Sequence, residues 1–347
     1  MTPVGPDEKV YPVTKLATVA DALLSEGATL ADALGGTRLS KDDLSTPATR
    51  VSLSQILECY RNAGRLARDP DFPYRAGLRF HVSTYGMYGF AILSCVDFRQ
   101  TMRFAVEYHR LATPTADISF SEQDGCAIWD VAPLAHLGVD TALYRFLVEL
   151  QIAAHISLHR DVMDPAFAPK VVRLAYGAAS EAARYSALFG CDVLLAQPQN
   201  QLVFDAKWLD ETPRLGNELT YATLTKLCDE LLEDFQLNTG LAGKVREILL
   251  RNLARPVSFE AAASRLAMTP RTLRRKLQEE KTSYRDLIDE LRMRLAVKYL
   301  RDTQLTIEDI AASLGFSESA NFRRAFRRWT AKAPQEFRRR PDGPNPE

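Results

Sequence analysis

Two short arginine-rich segments in the last third of the chain carry side chains that could hydrogen-bond to nucleic-acid bases. A guanidinium group can donate two hydrogen bonds to the edge of guanine, and the amide of Asn pairs in the same way with adenine. The polar side chains concerned are Arg271, Thr272, Arg274, Arg275 and Gln278 in the first segment and Ser319, Asn321, Arg323, Arg324 and Arg327 in the second. This composition is typical of a helix that lies in the major groove of DNA.

Each segment requires a helix whose opposite face is anchored on an apolar core. The candidate anchors are pairs of apolar residues spaced four apart, Leu273 with Leu277 and Phe322 with Phe326. Such a spacing places both members on one helix face. Thr269 followed by Pro270 is a favoured start for a helix. The pattern therefore predicts two recognition helices, 270–278 and 319–327.

The two segments belong to an internal repeat. Residues 259–277 and 307–326 each read as a short amphipathic helix, a tight turn and a second helix, with Ala263 matching Ala311. Gly315 in the turn of the second copy can adopt the positive φ that a sharp crossing of two helices requires. The repeat predicts two helix-turn-helix motifs.

Charge and spacing favour DNA as the partner of these motifs, which span about 258–280 and 306–328. Residues 241–347 hold 23 Lys and Arg against 14 Asp and Glu, a net charge of +9, whereas residues 1–240 hold 21 against 30, a net charge of −9. The helix predicted at 283–301 would span roughly 25–30 Å, close to the ~34 Å between successive major-groove faces. One arginine-rich helix face alone is more often plain solvated surface, but two copies on a basic domain favour DNA binding.

Residues 241–340 resemble the DNA-binding domain of the AraC/XylS family of bacterial transcription regulators. The resemblance is carried by the closing signature Ala311, Leu314, Gly315, Phe316, Phe322, Phe326, Trp329, Pro334, Phe337 and Arg338. Ala331 stands where the family often has Gly, and Ala333 where it often has Ser. The resemblance implies an all-α domain with two helix-turn-helix motifs joined by a long helix. It also implies double-stranded promoter DNA and RNA polymerase as partners, and activation more than repression.

The acidic part of the chain reads as an α+β domain. Runs of β-forming residues alternate with amphipathic or apolar helical patterns. Strands are predicted at 117–120, 126–131, 171–175 and 202–204, and helices at 141–160, 179–189 and 215–235. Residues 13–235 also resemble the arabinose-binding-domain-like branch of the same family, which includes ornithine-utilisation-type regulators. Residues 86–111 and 185–210 carry this likeness. It implies that the domain senses a small molecule or dimerises.

A cluster of aromatic and polar residues is the candidate effector pocket of this domain. Small-molecule pockets combine apolar walls with a few convergent polar groups, and a guanidinium can bind an effector carboxylate with two hydrogen bonds. The candidates are His81, Tyr85, Tyr88, Tyr108, Arg110 and Arg145. The alternative is that the tyrosines are core residues and that the charged side chains form surface or structural ion pairs.

Composition changes along the chain predict the domain boundaries. We expect a disordered lead at 1–12, the sensing or dimerising domain at 13–235, a linker at 236–243, the DNA-binding domain at 244–340 and a disordered tail at 341–347. The sequence has no secretory signal or membrane span, and its five cysteines form no CxxC motif. This composition predicts a cytoplasmic protein with reduced thiols, and the family resemblance implies that it is bacterial.

Motifs for catalysis or cofactor binding are lacking. The chain has no GxGxxG after a strand, no GxxxxGK[ST] and no GxSxG motif. His155 and His159 are spaced for a metal but have no obvious third ligand. The sequence therefore predicts neither a cofactor nor a metal site. It predicts an effector-responsive regulator that is not an enzyme. The remaining alternatives are a ligand-independent dimeric regulator and, less favoured, an enzyme with a DNA-targeting tail.

Overall fold

The computed structural model describes residues 4–134 and 138–338. The chain forms two compact units, one of residues 5–235 and one that contains residues 236–338. The first unit combines a sheet with helices, and the described residues of the second contain helices and no strand. This architecture confirms the predicted fold class.

The first unit contains a small β-ribbon and a five-stranded sheet. The ribbon strands are β1 (Tyr11–Pro12) and β2 (Arg50–Val51), and the sheet strands are β3 (Ala116–Gln123), β4 (Cys126–Pro133), β5 (Val171–Arg173), β6 (Asp192–Leu194) and β7 (Gln201–Asp205). The sheet order is β3-β4-β7-β5-β6, antiparallel except for the parallel pair β5–β6. Asp124 and Gly125 both have positive φ, 51° and 72°, as a two-residue hairpin turn requires. Pairing therefore continues to Gln123 and Cys126, and the hairpin is longer than predicted.

Ten α-helices begin within the described part of this unit. They are α1 (Thr14–Leu24), α2 (Leu30–Ala33), α3 (Lys41–Ser45), α4 (Leu53–Leu66), α5 (Phe72–Gly77), α6 (Met87–Ser94), α7 (Phe98–Ala112), α8 (Thr141–Val162), α9 (Ala182–Phe189) and α10 (Glu218–Asn238). Helices α7, α8 and α9 pack on the sheet. Helix α8 is buried over most of its length and packs on α5 and β4. A Cβ at Gly77 would lie 2.4 Å from the Leu150 carbonyl oxygen, so glycine is what allows α5 to approach α8 so closely.

The predicted disordered lead is wrong for its described residues. Tyr11 is buried, its ring centre lies 5.6 Å from that of Phe235 in a tilted arrangement, and it pairs with Val51 in the β-ribbon. An aromatic side chain that packs in this way stabilises the order of the segment around it. Residues 1–3 and the predicted tail at 341–347 lie outside the described residues.

The stretch predicted as a linker, 236–243, is almost entirely helical. Helix α10 continues to Asn238, and α11 (Gly240–Leu250) begins two residues later, so only Thr239 lies outside a helix. Polar composition suggested a loop here, whereas the only break is at Thr239, next to Gly240 with its positive φ of 74°.

The second unit contains two helix pairs separated by a long helix. After α11 come α12 (Phe259–Arg265), α13 (Pro270–Glu279), α14 (Tyr284–Asp302), α15 (Ile307–Ser313), α16 (Ser319–Thr330) and α17 (Pro334–Arg338). The pairs α12–α13 and α15–α16 correspond to the two predicted motifs. Their turns differ in one respect, because Gly315 has φ 78° while Ala267, its counterpart in the first copy, has φ 53°.

The strained turn of the first copy leads to a stability prediction. A left-handed conformation costs a residue with a Cβ about 1–2 kcal/mol, and glycine's greater freedom in the unfolded chain offsets part of the gain from replacing it. We expect Ala267→Gly to raise the free energy of unfolding of the second unit by about 0.5–1 kcal/mol. Calorimetry of the full-length protein measures this. The control Ala261→Gly, within helix α12, should destabilise the unit. A loss of stability in both variants would contradict the argument.

Candidate nucleic-acid interface and ligand cavity

Helix α13 is fixed on the second unit by its apolar face and by both of its ends. Leu273 and Leu277 are buried in the core of the unit. At the start of the helix, the Thr269 hydroxyl accepts a hydrogen bond of 3.2 Å from the backbone N–H of Thr272. Just after its end, the Glu280 carboxylate accepts hydrogen bonds of 3.0 and 2.9 Å from two N–H groups in the first turn of α11. The solvent-facing side of α13 is therefore held in a defined orientation.

The structure exposes most of the polar side chains predicted on α13. Exposed are Arg271, Arg274, Arg275 and Gln278, whereas Thr272 is half-buried. The Arg274 guanidinium lies 5.4 Å from the ring centre of Phe259, and Arg275 forms an ion pair with Glu279 one turn later. Arginines held in this way keep their charge at the surface in positions from which they can reach a polyanion.

Helix α16 is anchored mainly by aromatic side chains. Phe322 and Phe326 are fully buried, and Phe316 and Phe337 pack against them at ring distances of 5.6 and 5.2 Å. A Cβ on Gly315 would lie 2.1 Å from the Ala254 carbonyl oxygen. Glycine at this turn thus allows α15 and its turn to pack directly on the segment after α11.

The predicted contact residues of α16 lie on the outer side of this anchor. Arg323, Arg324 and Arg327 are exposed, and Ser319 and Asn321 are half-buried. Arg323 forms a 3.1 Å ion pair with Glu308 of α15. Arg324 donates a 2.6 Å hydrogen bond to the Asn321 side-chain oxygen. An approaching nucleic acid must therefore exchange two internal contacts on this face for its own.

Further basic residues, which the sequence analysis did not single out, line two grooves of the second unit. One groove, between α14 and α16, is lined by Arg285, Arg292 and Arg328 beside the predicted Arg324, and the other by Lys244, Arg251, Arg255 and Arg265. Burial lowers the pKa of Arg292, which stacks at 4.9 Å on Phe316. The net charge of the segment was the only signal for these residues, because their spacing follows no motif.

In the first unit, only two of the six predicted effector residues line a common cavity. Tyr85 and Tyr88 form part of an apolar cavity of about 30 Å³ under α6, α7 and α8, which is room for one or two water molecules. Trp129 of β4 and Met102 of α7 contribute apolar walls. A larger ligand therefore requires side chains to move, and the unbranched Met102 is the wall residue best able to do so.

The structure places the other four predicted effector residues elsewhere. His81 is exposed, and its Nδ1 lies 3.0 Å from Asp161. Tyr108 is buried and donates a hydrogen bond to Asp229. Arg110 is half-buried. Arg145 lies 3.5 Å from Glu181 and covers the Tyr176 ring. His81 and Arg145 therefore have structural partners, which is the alternative that the sequence left open.

Two histidines of α8 line the cavity and were considered only as metal ligands. His159 is hydrogen-bonded at both nitrogens, because its Nδ1–H donates to the His155 carbonyl oxygen and its Nε2 accepts 3.2 Å from the Trp129 indole. Burial lowers the pKa of His159 to about 4 and that of His155 well below 6.5, so both are neutral. His159 thus has no free lone pair for a metal, and no third ligand joins the pair within 4–134 and 138–338.

Two polar atoms in the cavity wall have no hydrogen-bond partner among the described residues. They are the hydroxyl of Tyr85 and Nδ1 of His155, both shielded from solvent. Buried polar atoms are nearly always paired with protein, water or ligand. Both residues belong to a mostly apolar lining that also includes the polar Gln151 and Thr101.

Comparisons with known proteins agree with this two-part architecture. Residues 27–213 match the family model of the N-terminal arabinose-binding domain of AraC transcription regulators, and residues 262–340 match a helix-turn-helix domain. The ornithine utilization regulator of Pseudomonas aeruginosa is 30% identical, over 98% of this chain and 99% of that protein. An uncharacterized HTH-type transcriptional regulator of Mycobacterium tuberculosis is 31% identical, over 96% and 98%.

A solved structure has a similar fold over nearly the whole chain. The crystal structure of the transcriptional regulator CdpR from P. aeruginosa aligns with a TM-score of 0.51 at 20% identity, and the alignment covers 95% of this chain and 99% of that one. Separately, no helix within residues 4–134 and 138–338 has both the length and the apolar composition needed to cross a bilayer.

Proposed function

Because the chain belongs to the AraC family of DNA-binding transcription regulators, we propose that it is an effector-responsive activator that reads adjacent major grooves with α13 and α16. The observation that carries this proposal is the pair of exposed arginine faces, each on a helix anchored by buried apolar residues. Because bacterial promoter DNA lies in the cytoplasm, we propose that the chain works there.

The two recognition helices and the basic grooves have different tasks in this proposal. Arginine and asparagine side chains on α13 and α16 read base edges, whereas the grooves with Arg285 and Arg255 contact phosphates. Base contacts discriminate between DNA sequences, whereas phosphate contacts set the register of the protein on the duplex and the salt dependence of its affinity. The 19 residues of α14 correspond to about 28 Å of helix, which suits half-sites one turn of DNA apart.

Selection of sites from genomic DNA tests this function. Full-length protein is incubated with sheared DNA of its source organism at a stated salt concentration, and the bound fragments are sequenced. We expect a few enriched sites that contain a repeated half-site, with a centre-to-centre spacing of about 10–10.5 base pairs. The double variant Arg274→Ala with Arg324→Ala should lose this enrichment. Binding without sequence preference in the parent protein would contradict the proposal.

We propose that the first unit controls this activity by binding a small molecule and by altering how DNA or RNA polymerase is engaged. The cavity with its two unpartnered polar atoms supports a ligand more than a purely dimerising role. The name of the P. aeruginosa relative refers to ornithine utilization, so L-ornithine belongs in any ligand panel.

A leucine stripe on α10 supports a homodimer. Leu219, Leu227 and Leu231 are exposed on one face, and Leu215 just before the helix is 65% exposed. Cys228, on the same helix, is buried. Exposed apolar stripes of this kind mark association surfaces, and a second copy of the same helix is a self-complementary occupant.

Substitution of the stripe tests the dimer. We expect Leu219→Glu combined with Leu227→Glu to weaken self-association at least tenfold, because paired charges would be buried against an apolar surface. Sedimentation velocity over a concentration series measures this. Leu194→Glu, at another exposed leucine of the same unit, should leave association unchanged. A parent protein that stays monomeric at high concentration would exclude this interface.

A further inference from the structure

The start of α11 is capped by a carboxylate from another part of the second unit. Only Thr239 lies between α10 and α11, and its side chain does not cap α11. The Glu280 carboxylate, just after α13, instead accepts hydrogen bonds of 3.0 and 2.9 Å from the backbone N–H groups of Leu241 and Ala242. The first N–H groups of a helix have no partner within the helix and attract negative charge. The Glu280 side chain therefore joins the start of α11 to the end of α13.

A guanidinium group holds the end of α10 at the same junction. Arg246 of α11 donates a hydrogen bond of 2.8 Å from Nη1 to the carbonyl oxygen of Leu237, in the last turn of α10, which belongs to the second unit. Its Nη2 donates a 2.9 Å hydrogen bond to Glu290 of α14, and its side chain is only 12% exposed. Hydrogen bonds from a charged group are stronger than those between neutral groups. The last turn of α10 is therefore bound to α11 and, through Arg246, to α14.

The backbone around Glu280 is part of the C-terminal cap of α13. Lys281 has a left-handed φ of 56°, and its N–H donates to the Gln278 carbonyl oxygen at 2.9 Å. The N–H of Thr282 donates to the carbonyl oxygen of Leu277, also at 2.9 Å. These two bonds form the Schellman arrangement that closes a helix end, and Leu277 is buried in the core of the unit. Glu280 therefore moves together with α13.

The two helix-turn-helix motifs meet the α11 region at different places. The first motif meets the first turn of α11 through Glu280. The turn of the second motif packs beyond the end of α11, where a Cβ on Gly315 would lie 2.1 Å from the Ala254 carbonyl oxygen. Because Thr239 alone connects α10 to α11, a displacement of the last turn of α10 must shift the first turn of α11. This shift reaches α13 directly through Glu280.

We propose that Glu280 is a positioning residue for DNA binding, which sets the angle at which α13 meets the major groove and makes the first motif the one that follows α10. This proposal rests on the proposed base contacts of α13 and names the residue that aligns them. Glu280 itself does not contact DNA in this role, because both of its carboxylate oxygens are engaged by α11. Arg246 has the complementary task of keeping α10 attached to α11.

Discrimination between base pairs by the full-length protein tests this role. Fluorescence anisotropy is measured with the selected genomic site and with single base-pair variants of each half-site. Arg274→Ala identifies the base pairs that α13 reads, and Arg324→Ala those that α16 reads. Glu280→Gln keeps the shape of the side chain but cannot accept both hydrogen bonds. We expect it to weaken binding to the selected site by about three- to tenfold, because fewer molecules hold α13 in the reading position. Discrimination should fall only at the base pairs that α13 reads.

A double-mutant cycle separates positioning from a general loss of stability. Glu280→Gln should cause a smaller loss of affinity in the Arg274→Ala protein than in the parent, and an undiminished loss in the Arg324→Ala protein, because only coupled residues depart from additivity. The control Asp302→Asn removes an exposed carboxylate of the same unit and should leave discrimination unchanged. If calorimetry shows that Glu280→Gln is unfolded, Glu280→Asp replaces it, since aspartate keeps the charge but is too short to meet both N–H groups.

The outcomes distinguish this inference from the proposed function. An equal loss of discrimination at both half-sites, or full additivity with Arg274→Ala, would mean that Glu280 acts only on the stability of the unit, and the proposal would be wrong. Unchanged discrimination in the Glu280 variant, with the expected effect of Arg274→Ala, would overturn this inference alone. If Arg274→Ala also has no effect on the selected site, α13 does not read bases, and the proposed function fails together with this role of Glu280.

Discussion

The full-length protein with Lys15→Met is expected to be more stable than the parent by about 3 kcal/mol at pH 6, and the first unit is expected to melt about 6–12 °C higher. Burial lowers the pKa of Lys15 from 10.5 to about 7. Folded protein at pH 6 must therefore bury an ammonium that water would otherwise solvate. Methionine has a similar unbranched shape without the charge, so the substitution removes the cost of burying an ammonium. It loses only the attraction of that ammonium to the rings of Tyr85 and Phe80.

The pH dependence of this gain gives a second check. Unfolded Lys15 holds its proton more tightly than folded Lys15, so the parent's free energy of unfolding rises as the pH increases from 7 towards 10.5. The stabilisation by methionine should be complete below pH 7 and fall to about half by pH 9. The titratable groups beside Lys15 are Tyr85 and His155, and neither changes charge between pH 6 and 9.

Differential scanning calorimetry at pH 6, 7.5 and 9 measures this series. The control Lys41→Met removes an exposed lysine of α3 and should change the melting temperature by less than about 2 °C, as expected for a surface substitution. A parent that is more stable than Lys15→Met at pH 6 would show that Lys15 has an anionic partner in the folded chain.

Arg274→Ala and Arg324→Ala are each expected to weaken binding to a selected site by about 10- to 100-fold, because one bidentate arginine–guanine pair contributes about 1–3 kcal/mol of discrimination. Binding to random DNA of the same length should change far less. Both side chains are exposed and neither has an ion pair among the described residues. Their loss should therefore leave the fold of the second unit intact.

Fluorescence anisotropy at two salt concentrations separates base contacts from phosphate contacts. Lys298→Ala, at an exposed lysine of α14, lowers the net charge by the same amount and serves as the control. An equal loss of affinity on selected and random DNA, together with a smaller salt slope, would identify the arginine as a phosphate contact. No loss on either DNA would remove that helix from the interface.

The helical unit could be predicted in detail from local sequence signals. Thr269 and Pro270 predict where α13 begins, and the apolar pair Phe322 and Phe326 predicts which face of α16 is buried. The same local logic failed at residues 236–243, where polar composition suggested a linker but helices α10 and α11 leave only Thr239 between them. Residues of polar type can lie in a helix as well as in a loop, so composition alone could not show that α10 extends to Asn238.

The ligand cavity could not be predicted in the same way, because it is built from residues far apart in the chain. Tyr85 and Tyr88 were identified from their aromatic character, but His155, which shares the cavity with them, is 70 residues after Tyr85. Nothing in the sequence distinguishes a buried lysine on α1 from a solvated one. Arg145 was a reasonable carboxylate ligand by type, and only the fold shows that its neighbours are Glu181 and Tyr176.

The acidic partners of the recognition arginines have a consequence for how the protein searches a genome. Arg275 and Arg323 are held by Glu279 and Glu308 when no DNA is present. In the proposed binding mode, each pair must open before its arginine contacts DNA, at a cost of up to about 1 kcal/mol. On random DNA no base contact compensates for this cost, so we expect each encounter to end sooner. We therefore expect the two carboxylates to shorten the residence time on irrelevant sequence and to speed the passage from one site to the next.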